Sequence, residues 1–214
     1  MSRPVIIVGG GGHARVLIDV LLSQSAEIIG ISDPALEPGS HGPFGLAVLG
    51  DNEAISDYPP DSVELVNGIG STHSTLKRRQ VYELFCARNY RFASIIHPST
   101  IIAREVSVGD GVQIMAGSVI QTGTVIGSNT IINTGARIDH DCRIGDHVHI
   151  APGAVLSGGV VIDDCSHIGA GASVIQSVHI GRDCLVGAGA VALRDAPDGA
   201  KVITPITRIT IEEA

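Results

Sequence analysis

The sequence predicts a two-part chain: an α/β half-Rossmann (βαβ) domain followed by a parallel β-helix. Three observations carry this expectation. Every sixth residue from Ile102 to Val186 is a branched aliphatic, fifteen positions without a gap. A glycine run, Gly9-Gly10-Gly11-Gly12, follows the first apolar segment and opens a helix-period stretch. Near residue 97 the pattern changes from helical periods to hexads.

The hexads run Ile102, Val108, Ile114, Ile120 and onward, and the residue two before each is small or modest in size, as at Ser118, Thr124, Ala136 and Cys142. A six-residue period fits neither the 3.6-residue helix nor a long plain strand. A fixed short period signals a solenoid. Short β-segments that each turn a corner, with an aliphatic pointing inward on every side, account for it. Three hexads make a triangular coil, so Ile102 to Ala190 holds five coils, a prism about 24 Å tall at the usual strand spacing. Glycine often follows the aliphatic, as at Gly109, Gly127, Gly145, Gly169, Gly181 and Gly187. Burial of the aliphatic column is opposed by the entropy of ordering the backbone. The prism is therefore expected to need covers at its ends and partners on its flat walls.

Length suits one or two domains, and with three Tyr, three Phe and no Trp the core must be aliphatic. A formal charge of −8 argues against nucleic acid as a partner, which demands clustered cations. Cys86, Cys142, Cys165 and Cys184 show no metal-ligand spacing. Cys142 and Cys184 fall in the small inward position and read as buried apolar thiols. Neither a signal peptide nor an apolar run of membrane-spanning length is apparent, so a cytoplasmic protein without membrane insertion is expected.

In the amino-terminal third, Pro4 to Val8 reads as a strand, the stretch with Val16, Leu17, Val20 and Leu21 as a helix, and Ile28 to Ile31 as a second strand. After a Pro/Gly-rich segment from Pro34 to Leu49, a third strand is expected over Val63 to Gly68, a helix over Thr75 to Arg88, and a strand near Phe92 to Ile96. The domain boundaries follow: residues 1–96, the β-helix over 97–193, and a tail over 194–214 capping its end. Asp33 lies about twenty residues beyond the glycines, the spacing of a dinucleotide fingerprint. Glycines there let backbone approach a phosphate, and a helix N-terminus offers it free N–H groups. Half a doubly wound fold supplies one mononucleotide site rather than a dinucleotide crevice, so a nucleotide-linked sugar fits better than NAD. A tight strand-to-helix turn with no ligand is the plain alternative.

Asp139-His140-Asp141 puts three ionisable residues in a row at a coil corner. His149 follows nine residues later, and His167 one coil beyond that, while His147 and His179 read as exposed wall residues. Imidazole, with a reference pKa near 6.5, can accept a proton at neutral pH, and a neighbouring carboxylate can fix its tautomer. A solvated turn histidine is the bland alternative. The sequence offers no Ser or Cys nucleophile constellation, which favours direct attack over an acyl-enzyme.

The segment Asn133-Thr134-Gly135-Ala136-Arg137-Ile138-Asp139-His140-Asp141-Cys142, with Ile144-Gly145-Asp146-His147-Val148-His149-Ile150-Ala151-Pro152-Gly153-Ala154, resembles the hallmark of the NeuD/PglD-type hexapeptide-repeat sugar acetyltransferases. The glycine loop and domain order match as well. The resemblance implies a left-handed β-helix, acetyl-CoA as co-substrate, and N-acetylation of a nucleotide-linked (UDP- or GDP-) amino-deoxysugar. Sialic acid-type O-acetylation is the alternative within the family. It further implies His140 as general base with Asp141 as its acidic neighbour, and His149, Ala170 and Ala188 at the cofactor. Gly11, Gly12, His13, Asp33, Pro34 and Gly70 match the nucleotide-sugar site. A homotrimer with shared sites is implied, and no metal. Outside the family, a β-helix carbonic anhydrase would use zinc, with His140, His149 and His167 as candidate ligands. A nucleotide-binding solenoid without turnover and an NAD enzyme are further alternatives.

Overall fold

All four side chains of the first strand, Val5–Val8 (β1), are buried, so the sheet it starts is covered on both faces. The structure, a computed structural model, describes residues 3–204. From β1 the glycines lead into a helix, Gly12–Ser23 (α1), and the chain returns as Ile28–Ser32 (β2). Val48–Gly50 (β3) and Glu64–Asn67 (β4) complete a four-stranded parallel sheet in the order β3-β2-β1-β4. A second helix, Leu76–Ala87 (α2), follows. Alternation along β1 assigns the faces: Val5 and Ile7 pack with Leu17, Ile18 and Leu21 of α1, while Ile6 and Val8 pack with Phe85 of α2. A parallel sheet buried this way reads as a continuous apolar run rather than an alternating one.

Two elements differ from expectation. The Pro/Gly-rich segment runs into β3, which has only three residues and ends at Gly50 with φ +130°, too short for any period to register. The strand expected near Phe92 to Ile96 is two: Phe92 bridges to Leu65, whereas Ile95–Ile96 pairs with Gln113–Ile114 as a rung of the second structure.

That structure is a left-handed parallel β-helix. Two-residue strands recur every six residues from Ile95–Ile96 to Val191–Ala192, and Lys201–Val202 adds a last rung. Each strand stacks on the one eighteen residues on, except that Leu185–Val186 pairs with Lys201–Val202 sixteen residues on, giving three walls of seven, six and five strands. The walls therefore reach beyond the five coils expected from the hexads alone. Every sixth-position aliphatic from Ile114 to Val186 is in one buried column, whereas Ile102 is only partly buried and Val108 is 36% exposed, because no rung lies beneath them. The small inward residues hold polar groups safely: the Thr130 hydroxyl donates to the Gly145 carbonyl at 2.9 Å, and Ser166 to Gly181 at 2.6 Å. Cys142 and Cys184 occupy the same position as free buried thiols, with their sulfurs 3.3 and 3.1 Å from the carbonyls of Ser157 and Pro197.

Corners are made three residues before each aliphatic, where φ is positive; Asn129, Asp141 and His147 take that conformation without being glycine. The glycines that follow the aliphatics serve close packing instead. A side chain on Gly127 would run into the backbone of Asp146 one coil on, at 2.6 Å.

The amino-terminal sheet and helices lie against one wall. The outward ladder of that wall is Gln113, Ile131, His149 and His167; the first two are fully buried and the histidines 5% exposed. Ile95 and Met115 of the prism belong to the same core as α1, so the two parts share packed interior. Of the expected capping tail, residues 205–214 lie outside the described residues. Among the described residues, no helix is long and apolar enough to cross a membrane.

Candidate active site

Where the glycine loop meets the wall there is a cavity of about 780 Å³, a size common for small-ligand sites. Gly11, Gly12, His13, Asp33, Pro34 and Gly70 all line it, and so does His149. The structure thus brings the residues expected for the nucleotide sugar together, and adds to them a residue expected at the cofactor.

Gly11 caps α1 without a side-chain hydrogen bond, and a Cβ added at Gly11 or Gly12 would meet nothing within 4 Å. The first turn's N–H groups therefore have open space before them, a ready anion site. Asp33 shapes this mouth: Oδ2 accepts from the Gly10 amide at 2.7 Å and Oδ1 from the Ala35 amide at 2.8 Å. Lys77 is on the cavity rim.

His13 and His149 line the cavity, His167 adjoins His149, and the partners of each ring nitrogen fix the tautomers. The Asn133 side-chain carbonyl accepts from the Thr134 amide at 2.8 Å, so its NH₂ faces His149 Nε2, 3.0 Å away. That nitrogen must accept, which leaves the proton on Nδ1 to be donated to Ser71 Oγ at 2.7 Å. The Ser71 hydroxyl in turn donates to His167 Nδ1 at 3.1 Å, and the two rings meet edge to face with centroids 4.8 Å apart. Burial, reinforced by His167 and His13, pushes the His149 pKa down to about 2; burial likewise brings His167 to about 4. At the other side, Gln113 donates to the Asn67 carbonyl at 2.8 Å, so its side-chain oxygen faces His13 Nε2 at 2.7 Å and accepts from it. Burial, with help from Arg78, lowers His13 to about 4.

Arg78, fully buried on α2, is bonded only to carbonyls: Nε to Asn129 at 3.1 Å and Nη1 to Asn67 and Ile69, each at 2.9 Å. It pins the 67–71 loop, which carries Ser71, to a corner of the prism. Among the described residues no carboxylate pairs with it and its Nη2 has no hydrogen-bond partner, and burial lowers its pKa to about 9. Ser71, Arg78 and Gln113 were not singled out in the sequence. A polar residue at 113, in a strand position that proves fully buried, is the one signal of a covered wall. His147 is not an exposed wall residue: it is half-buried, edge-on to Tyr82 with centroids 5.5 Å apart, and accepts from Asn129 at 2.9 Å. His179 is exposed and paired with Asp163 at 2.8 Å.

His140 and Asp141 do not line the cavity. They stand at another corner of the coil, exposed, with His140 Nδ1 2.8 Å from Asp141 Oδ2 and the His140 amide held by Asp139 Oδ1 at 2.8 Å. The hydrogen bond to Asp141, then the charge of Asp139, raises the His140 pKa. Ala170 and Ala188 are exposed on the corner that also carries Thr134 and Pro152, two residues of the cavity, and so extend that rim coil by coil. Among the described residues, no group of three or more His, Cys, Asp or Glu is disposed to hold a metal ion. His149 and His167 turn Nδ1 to one hydroxyl rather than to a common ligand point.

Residues 4–85 match the family model described as the PglD N-terminal domain, and residues 123–158 that of bacterial transferase hexapeptide (six repeats). No curated protein matches the chain. Among solved structures, PerB from Caulobacter crescentus, in complex with CoA and GDP-perosamine, is 36% identical, with 92% of each chain covered and a TM-score of 0.84. A variant of the perosamine N-acetyltransferase from the same organism, with one histidine replaced by asparagine, was also captured with CoA and GDP-perosamine. The acetyltransferase domain of PglB from Neisseria gonorrhoeae is 32% identical, over 94% of this chain and 96% of that one, with a TM-score of 0.85. WeeI from Acinetobacter baumannii, 24% identical, has the same fold. Identity of 36% sustained over 92% of both chains, together with both parts of the fold, means common descent: the chain is an acyltransferase and belongs to the NeuD/PglD-type family of hexapeptide-repeat sugar acetyltransferases.

Proposed function

We propose that this enzyme transfers acetyl from acetyl-CoA to the amino group of a nucleotide-linked amino-deoxysugar, with His140 as general base. The observation that carries the proposal is the His140–Asp141 pair. With Nδ1–H donated to the carboxylate, Nε2 bears the lone pair, and no protein group among the described residues hydrogen-bonds it. The sugar amine attacks the thioester carbonyl as a free base. A C–N bond forms, Nε2 takes the proton from the amine nitrogen, the C–S bond breaks, and the CoA sulfur leaves as thiolate to be protonated. Asp141 and Asp139 stabilise the imidazolium that results, which is why a raised pKa serves the step.

The cavity is the site for the nucleotide and its diphosphate. The uncapped N-terminus of α1, Lys77 and the uncompensated Arg78 charge favour an anion there, and neutral His13 and His149 line the cavity without a charge of their own. The complex of PerB with CoA and GDP-perosamine supports this substrate class. On one chain the cavity and His140 lie at different corners of the prism. A homotrimer in which His140 of one chain faces the cavity rim of the next, with acetyl-CoA along Ala170 and Ala188, joins them.

The test is direct. The protein is incubated with acetyl-CoA and UDP- or GDP-linked 4-amino-6-deoxysugars, and CoA thiol release and the acetyl mass gain are followed. His140→Ala is expected to cost about 10²–10⁴-fold in kcat while acetyl-CoA still binds. Turnover on hydroxyl sugars with none on amino sugars would replace this reading with O-acetylation.

A further inference from the structure

Gly158 stands eighteen residues beyond His140, at the same corner one coil on, and the Gly159 amide donates to the His140 carbonyl at 2.9 Å. A Cβ added at Gly158 would lie 2.6 Å from His140 Nε2, 2.7 Å from Cε1 and 3.2 Å from Cδ2. The imidazole occupies the space a side chain would take.

The repeat does not ask for glycine there. Of the fourteen equivalent hexad positions from Asp110 to Ala188, Gly158 is the only glycine. The same corner carries Thr122 and Gln176, and the other two corners carry Ala116, Asp146, Pro152 and Asp164 among others. Nor does the backbone ask for it. The left-handed residue of this corner is Gly159, with φ +68°, while Gly158 lies outside that region. Fold and repeat leave this glycine unexplained, and the contact with His140 explains it.

We propose that Gly158 is a positioning residue for the reaction: the bare seat on which the His140 ring rests while Asp141 holds Nδ1. Two contacts then locate the ring, one gripping its inner nitrogen and one supporting the edge that carries Nε2. A methyl group on the seat lifts that edge and lengthens the bond to Asp141. The inference rests on the reading of His140 as general base, but the seat itself can be tested without it.

The experiment introduces Gly158→Ala into the wild type and into His140→Ala, and measures melting temperature, the His140 pKa by NMR, and kcat with both KM values. The expected result is a melting temperature lowered by Gly158→Ala when His140 is present and unchanged when it is not. The His140 pKa should move down towards its ordinary value as the Asp141 bond weakens. The acidic limb of the pH–rate profile should follow it to lower pH, kcat should fall tenfold or more, and the acetyl-CoA KM should stay within twofold. If the single variant fails to fold while the double variant folds, the seat is supported just as well. An equal stability loss in both backgrounds, or an unmoved His140 pKa, overturns it. A displaced ring with full kcat leaves the seat standing and removes His140 from the role of base.

Discussion

Ser71 and His149, 78 residues apart, meet at 2.7 Å, and the same hydroxyl reaches His167 at 3.1 Å. One side chain from the sheet domain thereby closes two imidazoles of the prism wall. Ser71→Ala leaves a buried N–H on His149 and a buried acceptor on His167 without partners. Each orphan costs about 1–3 kcal/mol, so the chemical denaturation midpoint should drop clearly, and the nucleotide-sugar KM should rise with it. Ser71→Thr, which keeps the hydroxyl, should restore much of the loss. An unchanged midpoint in Ser71→Ala would mean the three groups do not form this relay in solution.

Acid should loosen the fold earlier than its carboxylates alone would. His13 and His167 are pushed down to about 4 and His149 to about 2, and His147 is lowered as well, in each case mainly by burial. In the unfolded chain these groups titrate near 6.5. Below that pH the unfolded state binds more protons than the folded one, so stability falls as pH falls, from about 6.5 down to about 4 for His13 and His167 and further for His149. His140 is raised and works in the opposite sense, as a single exposed group. Urea melts at pH 7.5, 6, 5 and 4 should show a flat region followed by steady loss. Equal stability at pH 7.5 and 5 would contradict the neutral imidazoles.

The prism was legible because its physics is local and repeated: a column of aliphatics at period six leaves little else to infer. The corner Asp139-His140-Asp141 was legible because three ionisable residues break that pattern. What stayed hidden depends on which wall the other domain covers. Nothing in the hexads says that 113 and 131 are buried while 137 and 143 are exposed. Hence nothing in the sequence marks Gln113, Ser71 or Arg78 as parts of the site. The short strand at Val48–Gly50 was missed for want of length, and His147 was judged by the repeat rather than by Tyr82, which α2 lays over it.

Arg78 joins the two parts through three carbonyls, so its loss should act on both stability and the cavity. Arg78→Met keeps the volume but strands the Asn129 and Ile69 carbonyls, at about 1–3 kcal/mol for each that finds no water, while the Asn67 carbonyl keeps its bond from Gln113. Arg78→Lys keeps the charge but cannot reach Asn129, Asn67 and Ile69 at once. Both variants should melt earlier than the wild type. Only Arg78→Met should also raise the His13 pKa, because the guanidinium charge is one of the causes that lowers it. Titration of His13 by NMR in the two variants separates the contribution of the charge from that of the hydrogen bonds.

The placement of His140 away from the cavity makes the strongest demand on assembly. On a single chain His140 shares its corner with Thr122, Gly158 and Gln176, whereas the cavity rim continues through Pro152 to Ala170 and Ala188 on another corner. In the proposed homotrimer a site built from both draws them from two chains, and cyclic closure gives three such sites. Complementation separates this from a private site. His140→Ala removes the proposed base and leaves the rim intact; Ala188→Trp fills the exposed rim and leaves His140 intact. Each homogeneous variant should be nearly inactive. After equal mixing through unfolding and reassembly, a shared site pairs an intact His140 with an intact rim about one time in four, assuming random assembly of a cyclic trimer. Activity should therefore recover to about a quarter of wild type. If both lesions belong to one chain's own site, no mixed assembly contains an intact site and nothing recovers. Mass spectrometry of the mixture verifies exchange, so an inactive but fully mixed sample would overturn the shared site.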